Sequence, residues 1–269
     1  MNFNQVLSNE NVKALRAKAG VYLIGAGPGA ADLITVRGAH LLGIADIVFY
    51  DALIDDSMLA WCNCTKLVQI GKRCGSHSNS QHFINKQLID ASKKYAVVVR
   101  LKGGDPLVFG RAQEEITALQ DAGVYFEVVP GITAALAASA ELRQPPTSRG
   151  VSRTLTLTTL PGRSTYPDHS TSIYYMGRER LSEIAVDLLD KGFSISTPVC
   201  LMASVSLPAQ RSFACDLGEL MNGDMHQRFS DKSPVIVMIG EVYRAISNNL
   251  THLNAPEETL SSFKHANAK

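Results

Sequence analysis

The sequence has no apolar run long enough to cross a membrane and no excess of charge of either sign. Its 269 residues include 26 basic and 25 acidic side chains, giving a formal net charge of +1. A transmembrane helix needs ~20 apolar residues, and the N-terminal stretch lacks the apolar core of a secretory signal peptide. A near-neutral chain exerts no overall attraction on nucleic acid or anionic membranes. We therefore predict a cytoplasmic protein that binds neither nucleic acid nor membrane.

Cysteine is also scarce, with five residues in the chain. An odd number without regular spacing excludes a disulfide framework and favours a reducing compartment. Cys62 and Cys64 stand two apart, and Cys74 is nearby, but no second close pair completes a zinc site. No metal is predicted.

In the first half of the chain, short apolar runs alternate with helical patterns. Strands are predicted in "VYLIG", "DIVFYD", "KLVQIGK", "AVVVRLKGGD" and "YFEVVPG", and helices in "TVRGAHLLGIA", "FINKQLIDASKK" and "EEITALQDAG". Strands that alternate with helices indicate a mostly parallel sheet covered on both faces. The turns after the strands are therefore expected to gather at one edge of the sheet, where open α/β sheets bind ligands.

Two prolines, Pro145 and Pro146, interrupt this pattern. Beyond them "RTLTLTTL", "TSIYYMG", "TPVCLMAS", "QRSFACDL" and "SPVIVMIGEV" predict strands, and "ERLSEIAVDLLDKG" predicts a helix. We predict an α/β protein with an N-terminal extension (1–20), a first α/β domain (21–146), a second α/β domain with a mixed sheet (147–255) and a polar tail (256–269).

The first turn, "GAGPGAAD", admits three interpretations. Its glycines fit the dinucleotide fingerprint G-x-G-x-x-G/A, with Ala30 in the last place. However, Pro28 removes a backbone donor where that motif presents a helix N-terminus to pyrophosphate, and Thr35 is the better helix N-cap. A dinucleotide site, a purely structural tight turn and a site for another ligand remain open at this point.

The turns after the other strands distinguish these alternatives. "RLKGGDPLVFGR" places two glycines and a carboxylate after a buried strand, and "VVPGITAA" places a glycine and the Thr133 hydroxyl after another. Together with "GAGPG", "IGKRCG" and "IYYMG", in this order and spacing, they closely resemble the S-adenosylmethionine-dependent tetrapyrrole methylases, in particular the uroporphyrinogen-III C-methyltransferases. The resemblance extends from about Val21 to Val242.

The resemblance implies two α/β domains of the tetrapyrrole methylase fold, with the active-site cleft between them, in an enzyme that is usually a homodimer. It implies S-adenosylmethionine as co-substrate, no metal, and uroporphyrinogen III as substrate. The implied reaction is C-methylation to precorrin-2 by two methyl transfers, in sirohaem or cobalamin-type biosynthesis.

The family's functional positions fall on named residues here. Its S-adenosylmethionine-binding positions match Pro28, Gly103, Gly104, Asp105, Val108, Thr133, Ala134, Met176 and Val205. Asp51 and Lys72 match its proton acceptor and donor. The alternative roles are that Asp51 only caps a turn and that Lys72 only binds a propionate.

Uroporphyrinogen III carries eight carboxylates, so a nearly neutral enzyme must concentrate its cations locally. The candidates are Lys72, Arg73, Arg100, Lys102, Arg111, Arg149 and Arg153. The arginine fork pairs with a carboxylate through two parallel hydrogen bonds, and Arg111 and Arg149 are the predicted substrate contacts. The alternative for the whole set is that its members are solvated surface charges.

Arg111 and Glu114 are three residues apart at the start of a predicted helix. One interpretation is a surface ion pair with a favourable helix-dipole interaction. The other, which we prefer, makes Arg111 a propionate anchor and Glu114 the base for the proton lost after methyl transfer, ahead of Asp51.

Four segments depart from the family pattern. Where the family usually has "HRD", this chain has "SRG" (148–150), and where the family has "TGH", it has "TTL" (158–160). The family's "ENGT"-like turn is replaced by "ASVS" (203–206), and the segment "PGRSTYPDHSTS" is shorter than the family's usual insertion. These departures keep two alternatives open: a methylase of a later corrin intermediate, and a paralogue that binds S-adenosylmethionine or a tetrapyrrole without turnover.

Overall fold

The computed structural model describes residues 17–64, 66–70, 81–159, 170–222, 225, 228–229 and 233–247. The chain divides into two compact units, Met1–Ala137 and Ala138–Lys269. Their boundary lies upstream of the Pro145–Pro146 break at which the sequence predicted it, and the domain limits stay a prediction. The polar tail and nearly all of the N-terminal extension lie outside the described residues.

The first unit is built on a parallel sheet. Its elements are β1 (Gly20–Gly25), a 3-10 turn (Ala31–Leu33), α1 (Val36–Gly43), β2 (Ile47–Asp51), α2 (Asp56–Leu59), β3 (Leu67–Ile70), α3 (Gln81–Ser92), β4 (Val97–Lys102), α4 (Ala112–Asp121), β5 (Phe126–Val129) and the first part of α5 (Ala134–Glu141). The strand order is β3-β2-β4-β1-β5, and every pair is parallel. The predicted parallel sheet is confirmed, and the carboxyl ends of its strands share one edge.

Apolar side chains cover both faces of this sheet. Successive residues of a strand point to opposite faces, so Tyr22 packs in one cluster with Leu42 of α1. Its neighbour Val21 packs in the opposite cluster with Leu88 of α3. Each buried side chain of this size contributes about 1.5–3 kcal/mol, and the two clusters hold the strands rigidly below their terminal turns.

Helix α1 begins where the sequence predicted. The hydroxyl oxygen of Thr35 accepts a hydrogen bond from the backbone N–H of Gly38 at 3.1 Å, which caps the helix. Between Gly29 and Thr35 the chain makes only the 3-10 turn. No helix begins at the second glycine of "GAGPG", so the turn lacks the feature with which a dinucleotide motif binds pyrophosphate.

The second unit contains a mixed sheet. Its elements are β6 (Leu155–Thr158), β7 (Thr171–Tyr174), a 3-10 turn (Arg178–Arg180), α6 (Leu181–Asp190), β8 (Pro198–Ala203), β9 (Arg211–Asp216), α7 (Leu217–Met221), β10 (Val235–Ile239), a 3-10 turn (Glu241–Tyr243) and α8 (Arg244–Ser247). The order is β6-β7-β10-β8-β9, in which only β6 and β7 are parallel. The predicted mixed sheet is confirmed. Its core joins Tyr174, Leu201 and Val237 to Ile184 and Leu188 of α6.

The four described cysteines are free thiols. Cys62 and Cys64 are half-buried and Cys200 and Cys215 are buried, and burial raises the pKa of Cys62 to about 11. Among the described residues, no group of three or more His, Cys, Asp or Glu is placed to hold a metal ion. None of the helices in the same part of the chain has the length and hydropathy to cross a bilayer.

Candidate functional site

Three glycine-containing turns meet at the carboxyl edge of the parallel sheet, after β1, β4 and β5. Gly27 N donates to Gly104 O at 3.2 Å, and Gly104 N donates to Gly27 O at 2.7 Å. A Cβ on Gly131 would lie 2.2 Å from Gly104 O and 2.8 Å from Gly25 Cα. The turns therefore pack backbone against backbone, which only residues without a Cβ permit.

Asp105 fastens two of these turns to each other. Its Oδ1 accepts a hydrogen bond from Leu107 N at 2.8 Å, and its Oδ2 accepts one from Gly131 N at 2.9 Å. Both oxygens thus bind backbone N–H groups of the protein. The carboxylate has a structural role that the sequence did not predict, while its contact with a ligand stays a prediction.

The outer face of the β4 turn is open. A Cβ on Gly103 would meet no heavy atom of the described residues within 4 Å, and one on Gly104 would meet only the α-carbon of Thr133, at 3.9 Å. A flat backbone surface without side chains accepts a ligand at close range. Pro28, in the facing turn, brings no N–H, so this edge suits a ligand without phosphate, such as S-adenosylmethionine.

Most of the residues predicted to bind the methyl donor lie in these turns or, for Ala134, at the start of α5. They are Pro28, Gly103, Gly104, Asp105, Val108, Thr133 and Ala134. The structure therefore brings together, at one edge of the sheet, residues from three segments that are distant in the sequence. Whether each contacts S-adenosylmethionine stays a prediction.

Met176 and Val205, also predicted to bind the donor, lie in the second unit. Met176 follows β7, has a φ of +53° and is 63% exposed. Val205 is buried and stands between Ser204 and Ser206, whose φ values are +51° and +62°. Non-glycine residues at positive φ are costly and concentrate at ligand-binding turns. The contact of Val205 with a ligand stays a prediction.

Arg111 and Glu114 form the ion pair that was one of the two alternatives. Arg111 Nε lies 2.7 Å from Glu114 Oε1, and Arg111 Nη2 lies 2.9 Å from Glu114 Oε2. Both side chains are exposed, and Arg111 precedes α4 with a φ of +55°. The hydrogen bonds from Arg111 lower the pKa of Glu114, so its carboxylate is ionised at neutral pH. The contact of this pair with a substrate stays a prediction.

Arg149 lies at the tip of a short turn. Ser148 and Ser152 close the turn with two reciprocal backbone hydrogen bonds of 2.9 Å. Gly150 has a φ of +78°, a conformation that glycine adopts without strain. The shape of the turn therefore explains the glycine at the third position of "SRG". Arg149 is exposed and has no ion pair within the described part of the chain.

A buried charge network lies below the same sheet edge. Arg100 Nη2 binds Asp51 Oδ1 at the end of β2, and Arg100 Nε donates to Glu115 Oε1 at 3.0 Å. Lys102 Nζ donates to Glu115 Oε2 at 2.9 Å. Burial, followed by the charge of Arg100, lowers the pKa of Lys102.

This network changes the interpretation of two candidate cations. Arg100 and Lys102 are two of the seven candidate cations for substrate binding, but both are buried and paired with Glu115. The sequence reasoning missed Glu115, although a signal existed. The two cations are two residues apart in the otherwise apolar strand "VVVRLK", so their side chains point to the same face of the sheet. A buried positive charge needs a negatively charged partner nearby. Lys72 and Arg73 lie outside the described residues.

Comparison with protein families identifies the family of the chain. The family model of Tetrapyrrole (Corrin/Porphyrin) Methylases matches residues 20–221, and the chain belongs to this family of S-adenosylmethionine-dependent methylases.

Individual relatives of the chain have more specific names than the family as a whole. The chain is 40% identical over 243 residues to a uroporphyrinogen-III C-methyltransferase of Pseudomonas aeruginosa, covering 87% of this chain and 98% of that protein. It is 37% identical over 249 residues to a sirohaem synthase of Hahella chejuensis, covering 89% of this chain but only 53% of that protein.

A solved structure resembles the chain as well. The uroporphyrin-III C-methyltransferase of Thermus thermophilus, complexed with S-adenosylhomocysteine, superposes with a TM-score of 0.71 at 34% identity. The match covers 84% of this chain and 94% of that one.

Proposed function

We propose that the chain transfers two methyl groups from S-adenosylmethionine to carbon atoms of uroporphyrinogen III and so forms precorrin-2. The observation that carries this proposal is the similarity to the Pseudomonas aeruginosa enzyme over 98% of that enzyme's length. The open backbone at Gly103 and Gly104 supports it, because a backbone without side chains lets a ligand approach closely.

The methyl donor is held by the turns after β1, β4 and β5 of the first unit, and the binding roles of Met176 and Val205 stay predictions. When bound, S-adenosylmethionine supplies an electrophilic methyl group on a sulfonium. The protein's task is to align the acceptor carbon with that group and to exclude water. Such positioning contributes up to ~7–11 kcal/mol in the best-oriented reactions.

Arg111 and Arg149 bind carboxylates of the substrate. The guanidinium of Arg111 already holds a carboxylate through two hydrogen bonds, so an incoming propionate can replace Glu114 in the same geometry. This exchange releases Glu114 when the substrate arrives. The exposed Arg149 is free to bind a second carboxylate in the same way.

Each methyl group arrives as the equivalent of CH3⁺, so the acceptor must lose one proton for every methyl group gained. Glu114, once released by Arg111, takes the proton lost after methyl transfer. Asp51 is a second proton acceptor, and Lys72 matches the position that the family uses as proton donor. Two methyl transfers release two protons, so more than one base can take part in the reaction.

The further properties of the enzyme follow from this assignment. We propose a cytoplasmic homodimer that needs no metal and binds neither nucleic acid nor membrane. It supplies precorrin-2 to sirohaem or cobalamin-type biosynthesis.

The function is tested by incubating the purified chain with enzymatically made uroporphyrinogen III and S-adenosylmethionine and quantifying S-adenosylhomocysteine. We expect two molecules of S-adenosylhomocysteine for each uroporphyrinogen III consumed. Donor binding with no S-adenosylhomocysteine formed contradicts the proposal: it indicates a methylase of a later corrin intermediate if such an acceptor restores turnover, and a binding paralogue if none does.

A further inference from the structure

We propose that Glu115 is a positioning residue, which acts through Arg100 to hold the carboxylate of Asp51 in place as a proton acceptor. The inference rests on the proposed function, in which Asp51 accepts a proton. Neither Glu115 nor Arg100 touches a reacting atom in this account.

The carboxylate of Asp51 is fixed on one side and open on the other. Its Oδ1 accepts a hydrogen bond from Arg100 Nη2, while its Oδ2 has no hydrogen bond within the part of the chain that the structure describes. The side chain is 31% exposed at the end of β2, on the edge that carries the glycine turns. Arg100 thus sets the orientation of Asp51 and leaves one oxygen for a ligand proton.

Arg100 is itself held from behind. Its side chain is 3% exposed, with Nε donating to Glu115 Oε1 at 3.0 Å and Nη1 donating to Leu101 O at 3.1 Å. A guanidinium is planar and rigid. Fixing its Nε on Glu115 therefore fixes the direction in which Nη2 meets Asp51.

Glu115 is the fixed point of the network. Its side chain is 0% exposed, and Oε2 accepts from Lys102 Nζ at 2.9 Å while Oε1 also accepts from Gln81 Nε2 at 3.3 Å. Helices α3 and α4 and strand β4 therefore all converge on one carboxylate.

The charges of the network balance, with two carboxylates against one guanidinium and one ammonium. Desolvation makes a buried ionic group of this kind no more stabilising than apolar residues of the same volume. Stability alone does not account for it. A rigid link between a buried anchor and a partly exposed carboxylate accounts for both its burial and its position.

The test is a double-mutant cycle on kcat that combines Asp51→Asn with Glu115→Gln. In the otherwise wild-type chain, we expect Glu115→Gln to lower kcat by about tenfold or more, within the range of coupled neighbours. The KM for uroporphyrinogen III and the Kd for S-adenosylhomocysteine are expected to stay within about twofold of wild type, since Glu115 itself contacts neither ligand in the proposal. In the Asp51→Asn chain, Glu115→Gln is expected to cause no further loss.

Three outcomes overturn the proposal while leaving the methyltransferase function intact. They are equal losses of kcat in both backgrounds, an unchanged kcat in Glu115→Gln, and a wild-type kcat in Asp51→Asn. A wild-type chain that forms no product instead contradicts the proposed function, and the inference falls with it.

Two further variants, Arg100→Lys and Asp46→Asn, serve as a second test and a control. Glu115→Gln leaves one uncompensated buried positive charge, so Arg100→Lys, which keeps the charge but loses the two-sided fork, is carried through the same cycle. If neither folds, as judged by cooperative unfolding, the network serves stability and the proposal is wrong. Asp46→Asn is the control: Asp46 accepts from Val97 N at 2.8 Å at the opposite end of β4, and this variant is expected to keep the wild-type kcat.

Discussion

Gly103 and Gly104 are neighbours with different constraints. Gly104 has a φ of +65°, so any side chain there strains the backbone, whereas Gly103 has no positive φ and no described atom near its virtual Cβ. A substitution at Gly103 therefore tests for ligand contact without disturbing the fold.

We expect the wild-type chain to bind S-adenosylmethionine and S-adenosylhomocysteine in calorimetry without any tetrapyrrole, and Gly103→Val to weaken this binding by more than about tenfold by filling the donor's space. Gly43→Ala is the control, because its new Cβ makes ordinary contact with Asn63 Nδ2 at 3.6 Å. No heat with S-adenosylmethionine but tight binding of NADH would instead support the dinucleotide interpretation.

Arg149 is expected to bind substrate although "SRG" has lost its usual neighbours. Arg149→Ala is predicted to weaken tetrapyrrole binding by about 1.5–3 kcal/mol, the range for hydrogen bonds to charged groups, without changing the Kd of S-adenosylhomocysteine. Lys93→Ala, which removes an exposed charge beyond the far end of α3, is the control. Equal weakening of both ligands would show that Arg149 is structural.

Glu114 is ionised and paired in the free protein, so its role depends on release by the substrate. Glu114→Gln keeps the size of the side chain but cannot accept a proton. Turnover is expected to fall by ~10²–10⁴ while both ligands still bind. A variant that keeps more than about a tenth of wild-type turnover would transfer the role of base to Asp51 or water.

The residue roles that escaped sequence reasoning share one cause. Asp105 accepts a hydrogen bond from the backbone of Gly131, and Glu115 pairs with Arg100 and Lys102. Both sets of contacts depend on which strands become neighbours in the sheet. Contacts between segments distant in the chain leave no local spacing to find. The Arg111–Glu114 pair, by contrast, is local and was among the predicted alternatives.

Helices and strands were predictable because their signals are local. The strands of the first unit and the start of α1 follow from apolar periodicity and from Thr35 as N-cap. The order β6-β7-β10-β8-β9 was not predictable, because antiparallel partners in a mixed sheet are chosen by packing over long separations.

The cap on α1 can be tested directly. Thr35→Ala removes the hydrogen bond to Gly38 N and is expected to lower the free energy of unfolding by about 1 kcal/mol, measured by urea denaturation. Thr35→Ser keeps the hydroxyl and is expected to retain most of that stability. Equal stability of the Ala variant and wild type would show that the cap contributes nothing.

The whole chain is nearly neutral, at a net charge of +1, yet the proposed substrate carries eight carboxylates. Binding must then come from a few arginines in defined geometry and not from a general positive field. The changed "SRG" and "ASVS" turns both lie in the second unit, so the identity of the substrate is the property that most needs a direct measurement.

The most direct test is the mass of the product formed from uroporphyrinogen III and S-adenosylmethionine that carries a trideuterated methyl group. We predict a product in which two hydrogens are replaced by two trideuteromethyl groups, because both added carbons come from the donor. A tetrapyrrole recovered at its starting mass, from protein that binds S-adenosylhomocysteine, would contradict the proposed function.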